Sequence, residues 1–278
     1  MTSNTQKNKA VQFREMHHGP SILVLPNAWD VASARIFEKA GFRAIATTSS
    51  GVAAALGYPD GQRISRDMMV EVVERMARVV ECPITADIEA GYGDTLEEVL
   101  ETIKAVIAAG AVGINIEDSA MGQEKSLVDI SFQVELLKAI QETALSMDVP
   151  LVVNARIDVF LLAIGDPTRR FEEGVQRAKA YRQAGADCVF PIGLGDARTI
   201  AGLVQASNGP VNILAGSTTP SIAELAQLGV ARISFGSGMM RATLARLRHI
   251  ARELLERSTY TSMTDDTISG AELRSLVE

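Results

Sequence analysis

The chain has 278 residues, 47% hydrophobic and 22% charged, with 27 Lys plus Arg against 34 Asp plus Glu and a net charge of −7. A chain this long buries a large core without help from a metal or disulfide. Its acidic balance argues against a sequence-independent nucleic-acid binder, which needs a basic surface. Cys82 and Cys188 sit in apolar settings with no CxxC, which predicts a reducing, cytoplasmic compartment. The polar start carries no secretory signal, and no apolar run approaches the ~20 residues of a membrane span, so no membrane partner is expected.

Taken in chain order, unalternated apolar runs fall at 22–25, 44–46, 84–86, 113–116, 151–153, 188–190, 211–214 and 233–235. Such runs are expected of strands buried on both faces. Amphipathic patterns between them predict helices over 66–80, 96–109, 132–145 and 167–184, and a last long helix over 239–255. Before four of the strands a helical segment ends in a small residue and Gly, at Gly41, Gly110, Gly185 and Gly229. There the glycine takes the left-handed conformation just past the helix. Strict alternation predicts an α/β fold, a (β/α)8 TIM barrel, over residues 1–257. The open doubly wound alternative lacks its Gly-rich loop, since the first strand is followed by Pro26-Asn-Ala-Trp-Asp30. Residues 258–278 read as a polar linker (258–267) and a short C-terminal helix (271–277).

In a barrel the working residues lie just past the carboxyl ends of the strands. Asp87 and Glu89 follow the third strand, Glu117 ends the fourth, and Asp60 can join from the loop after the second. Carboxylates gathered in one mouth repel one another unless a divalent cation removes the conflict. All-oxygen donors, with His17, His18 and His249 away from strand ends, favour Mg2+ or Mn2+ over zinc, with Asp87 the best candidate for direct contact. Arg156, past the fifth strand, reads either as a salt-bridge partner for these acids or as a planar fork for a carboxylate or phosphonate. Thr48, Ser49 and Ser50 before Gly51 read as a polar turn or as a place where backbone N–H groups approach an anion. Asp118 rivals Glu117 as the loop acid, Asp94 and Asp158 read as structural, and Asn212 lies on the seventh strand. The segment 119–129 is long and polar for a strand-to-helix connection and predicts a lid.

The Leu-Gly-Tyr-Pro-Asp60 run, Asp87-Ile-Glu89-Ala-Gly-Tyr-Gly, Ile116-Glu117-Asp118 and Ala155-Arg156-Ile-Asp158 resemble the isocitrate lyase/phosphoenolpyruvate mutase superfamily. The likeness covers roughly residues 20–255. It implies a barrel whose eighth helix is swapped between subunits, a homodimer or homotetramer, and a magnesium site. By the same resemblance Asp87 binds the metal directly, while Asp60, Glu89 and Glu117 hold its waters. Arg156 takes the substrate's carboxylate or departing group. Thr48, Ser49 and Ser50 cradle the oxo-acid end, with Asn212 counted among the substrate-binding residues. The lyases of the superfamily that act on isocitrate and methylisocitrate carry Cys and His in the lid. Here Met121-Gly-Gln-Glu-Lys125 has neither; Lys125 is counted among the catalytic residues, as the acid if the lid contributes one. The phosphomutase lid's Lys and Asn fall on Gln123 and Lys125. The expected activity is a magnesium-dependent lyase acting on a small 2-oxo acid or its aldol through a pyruvate enolate. The alternatives are a C–P bond mutase or hydrolase, and a 2-oxo acid binding protein with little turnover.

Overall fold

The computed structural model describes residues 3–119 and 126–277. Its strands are β1 (Leu23–Leu25), β2 (Asn27–Ala28), β3 (Ile45–Thr47), β4 (Ile84–Asp87), β5 (Gly113–Glu117), β6 (Val152–Ile157), β7 (Cys188–Pro191), β8 (Asn212–Leu214) and β9 (Arg232–Ser234). β2 through β7 pair in sequence order, β1, β9 and β8 form a second ladder, and one parallel bridge between Val189 and Val211 joins the two. β1 and β2 are a single stave interrupted at Pro26, whose missing N–H cannot continue a ladder. Before the proline the stave pairs with β9, and after it with β3. The eight staves therefore close into the expected barrel.

The helices are α1 (Ser3–Met16), α2 (Val31–Lys39), α3 (Ser49–Ala55), α4 (Arg66–Val79), α5 (Leu96–Ala108), α6 (Ile130–Ser146), α7 (Arg170–Gln183), α8 (Ala197–Ser207), α9 (Ile222–Gln227), α10 (Gly238–Arg257), α11 (Thr261–Thr264) and α12 (Gly270–Ser275). α4 buries Met69, Val73, Met76 and Ala77, one stripe at helical spacing. Gly41, Gly110, Gly185 and Gly229 all take positive φ. At each, the glycine N–H and the following N–H turn back onto carbonyls of the last helical turn, as in Gly41 to Glu38 (2.9 Å) and Phe42 to Phe37 (3.2 Å). That double return ends the helix and aims the chain at the next strand.

Several elements differ from the sequence expectation. α7 starts at Arg170 rather than at Pro167, because Asp166 accepts bonds from both N and Oγ1 of Thr168 and holds a turn there. α1 lies across the amino ends of the strands: Gln6 donates to the carbonyls of Ile107 (2.7 Å) and Ala111 (2.9 Å), and Arg14 pairs with Asp187 at 2.6 Å. Its Phe13 is fully buried, and a Cβ on Gly113 would come within 2.8 Å of that ring. The linker folds back, since the Glu253 carboxylate accepts from Thr259 Oγ1 (2.6 Å), Thr261 N (2.9 Å) and Ser262 N (2.8 Å). α12 docks on this chain's own barrel, with Leu276 buried and Lys39 of α2 donating to the Ser275 carbonyl at 3.0 Å.

α10 buries only Met240 and Glu253 of its 20 residues. Leu244, Leu247, Leu254 and Leu255 are 46–85% exposed along one stripe. Among the described residues no helix is long and apolar enough to cross a membrane.

Candidate active site

The carboxyl ends of the staves surround a cavity of about 220 Å³ whose wall includes Ser49, Ser50, Asp60, Asp87, Arg156 and Arg232. Its volume is below the usual range for drug-sized ligands, so it suits a substrate of few heavy atoms. Thr48 caps α3, and Ser49 and Ser50 form that helix's first turn rather than a free loop. Asp87, at the tip of β4, accepts from both N (3.0 Å) and Oγ (2.8 Å) of Ser49 on one oxygen, and from Asn115 Nδ2 (3.1 Å) on the other. Asn115 in turn accepts from Asn154 at 2.6 Å, so amides on β5 and β6 fix the Asp87 carboxylate from below.

Glu89 sits in a turn where it and Tyr92 both take left-handed backbone (φ +52° and +56°), strain that persists only where surrounding contacts enforce it. Here Gln62 N (2.8 Å) and Tyr92 Oη (3.0 Å) donate to the Glu89 carboxylate. Burial, together with the negative charges of Asp87 and Asp60, pushes this carboxyl up to about 7. Glu117 ends β5 with Oε2 2.5 Å from Arg156. Burial pushes its carboxyl upward as well: Arg156 pulls the other way, while Asp158 and Asp87 add to the rise.

Arg156 is held between acids. Its Nη1 meets Glu117, while Nε and Nη2 donate to the two oxygens of Asp158 at 2.6 and 2.9 Å. Three of the five N–H groups are thereby used and two remain for a ligand. Asp158, expected to be structural, thus orients the arginine of the site. Asp118, the rival of Glu117, faces the other way: it is fully buried against Arg177 (3.0 Å) and Tyr181 Oη (2.7 Å). Adjacent strand residues point to opposite faces, which separates the two acids.

Asn212 opens β8 at its amino end, is fully buried, donates to Ser234 Oγ at 3.1 Å, and is not part of the cavity wall. Lys125 and the middle of the expected lid lie outside the described residues, whose flanks meet in a Ser119–Leu127 bridge. Arg232 on the cavity wall leaves one trace in the sequence, a charge inside an apolar strand, Val-Ala-Arg-Ile-Ser-Phe. Both thiols are pushed up to about 12, Cys188 by burial and Cys82 by burial and the nearby Glu38, so neither supplies a thiolate.

Among the described residues no three His, Cys, Asp or Glu side chains converge into a direct coordination cage. The donors near Asp87 are oxygens, and Asp60 and Glu89 add negative charge close to it. That combination fits a hard cation resting on one carboxylate and water, as magnesium does, and not zinc.

The family model described as phosphoenolpyruvate phosphomutase matches residues 13–255. An uncharacterized protein of Mycobacterium tuberculosis is 37% identical over 244 residues, spanning 87% of this chain and 88% of that one. The 2,3-dimethylmalate lyase of Eubacterium barkeri is 30% identical over 80% of this chain and 78% of its own. A crystal structure from Burkholderia cenocepacia, described no further than as a lyase/mutase, superposes with a TM-score of 0.90 at 34% identity, covering 98% of this chain and 96% of that one.

Proposed function

The chain belongs to the phosphoenolpyruvate phosphomutase family, within the isocitrate lyase/phosphoenolpyruvate mutase superfamily, and from that premise we propose that it is a magnesium-dependent carbon–carbon lyase for a small 2-oxo acid or its aldol. The observation that carries this reading is Asp87, fixed at a strand tip by Ser49 and Asn115 and facing the same small cavity as Arg156. The lyase relative supports C–C rather than C–P cleavage.

Asp87 would hold the cation, with Asp60, Glu89 and Glu117 accepting from its waters. Bound there, magnesium would supply Lewis-acid stabilisation of developing negative charge. Ser49 and Ser50 orient the oxo-acid end against the first turn of α3. Arg156 offers its two remaining N–H groups to a substrate carboxylate or to the departing group, its plane fixed by Glu117 and Asp158. Ala46, Phe190, Ile192 and Leu214 form the covered apolar part of the wall, beside a half-exposed Leu161. They keep water away from the breaking bond and strengthen each charge interaction inside. Lys125, from the lid, is the proposed acid.

A product assay on the purified chain tests this, with oxaloacetate, 2-methylisocitrate and phosphonopyruvate each supplied with and without Mg2+. Magnesium-dependent pyruvate release from a C–C substrate is expected. Phosphate or phosphoenolpyruvate from phosphonopyruvate would move the assignment to C–P chemistry. Tight oxalate binding with no turnover of any of the three would make the chain a 2-oxo acid binding protein.

A further inference from the structure

Two arginines line the cavity, and they arrive in different electrical states. Arg156 comes neutralised by Glu117 and Asp158. Arg232, at the start of β9, is 2% exposed, and its Nε and Nη1 have no hydrogen-bond partner among the described residues. Its guanidinium carbon lies 5.9 Å over the ring of Phe13, which forms the floor beneath it. Burial pushes the group down only to about 10, so it is still a cation at neutral pH, and among the described residues Asp87 is the carboxylate whose charge reaches it.

Acceptors lie unpaired in the same interior. Among the described residues Thr85 Oγ1, on the cavity wall, has no partner, nor do the buried Asn154 Oδ1 and Asn212 Oδ1. Buried polar groups are almost always satisfied, and a buried guanidinium without a counter-ion is costly to keep. Water can satisfy the neutral atoms but leaves the charge uncompensated. If a cation takes up the charge of Asp87, the mismatch at Arg232 grows. A ligand with one carboxylate at the Asp87 end and a second anionic group toward the floor balances both.

We propose that Arg232 is a specificity residue that receives the distal carboxylate of a short dicarboxylic 2-oxo or 2-hydroxy acid whose other end sits at Asp87. This rests on the reading of the Asp87 mouth as a metal and oxo-acid centre, and it adds a recognition element from the opposite end of the barrel. A planar guanidinium can engage a carboxylate through two parallel N–H bonds, and each of its two forks, Nε with Nη2 and Nη1 with Nη2, holds a donor without a partner among the described residues.

The test is calorimetric titration of the full chain with Mg2+, using oxalate to report the metal end alone, malate to report both ends, and lactate as malate without its second carboxylate. Arg232→Met and Arg232→Lys are compared with the parent. In the methionine variant, oxalate affinity is expected to stay within about twofold, while malate affinity falls at least about tenfold. The lysine variant should fall between. The melting temperature of ligand-free Arg232→Met should equal or exceed the parent's, since an uncompensated buried charge gives way to an apolar chain of similar length. A role in folding alone would lower it. Equal loss of oxalate and malate, unchanged malate affinity, or a parent chain that binds malate no tighter than lactate would overturn the proposal. A parent that shows no magnesium-dependent oxalate binding refutes the metal-centre reading instead. In that case malate titrated without Mg2+ decides: dependence on Arg232 upholds the anion pocket, and independence overturns it.

Discussion

Asp87 ends β4 with both carboxylate oxygens engaged, and its charge is felt by Glu89, Glu117 and Arg232. Asp87→Ala is expected to weaken magnesium-dependent oxalate binding by more than about 100-fold, beyond what loss of an outer-sphere partner costs. Calorimetry that found the affinity unchanged would remove Asp87 from the site. Glu89 makes a prediction about acidity. Its carboxyl holds a proton more tightly in the folded state, at about 7, than at the ordinary 4.5, so ionising it costs stability. With metal chelated, the melting temperature should therefore fall as pH rises from about 4.5 to about 7, and Glu89→Gln should flatten that decline. A profile flat in the parent, or just as steep in the variant, would contradict it. Which of these residues were legible beforehand follows from geometry. The acids at strand ends stand out in sequence, but a one-residue step decides whether an acid faces the mouth, as Glu117 does, or the outer helices, as Asp118 does.

Among the elements, strands buried on both faces announce themselves as apolar runs closed off by glycine, and all eight staves could be placed within a few residues. α1 and α3 were hidden for different reasons. α3 is built of small residues, Ser49 to Ala55, without the large periodic side chains that mark an amphipathic helix. α1 is polar around most of its circumference and commits mainly Ala10 and Phe13 to the core. Its packing is tertiary, set by the open floor of a barrel that a linear reading cannot see. Phe13→Ala should cost about 3–5 kcal/mol, the usual price of deleting a buried ring, measured by urea unfolding. A loss under about 1 kcal/mol would mean that α1 only rests on the barrel.

For the molecule as a whole, α10 lies uncovered along most of its length in the single chain. Its exposed leucines form one stripe, and soluble proteins seldom leave such a stripe uncovered. The family resemblance implies that a second copy covers it by exchange of this helix. Leu244→Glu combined with Leu247→Glu should then convert a dimer or tetramer to monomer in size-exclusion chromatography with light scattering. A parent chain that is monomeric at micromolar concentration would refute the exchange.

The stave order carries one more consequence. Among the described residues one bridge, Val189–Val211, joins β7 to β8, whereas β5 and β6 share a register five residues long. A cylinder riveted once along one joint is not equally stiff around its girth, and it breathes first at that joint. Deuterium should enter the backbone amides beside this joint before it reaches those of β5 and β6. The neighbouring wall residues, Phe190 and Leu214, are then the part of the chamber with the most give.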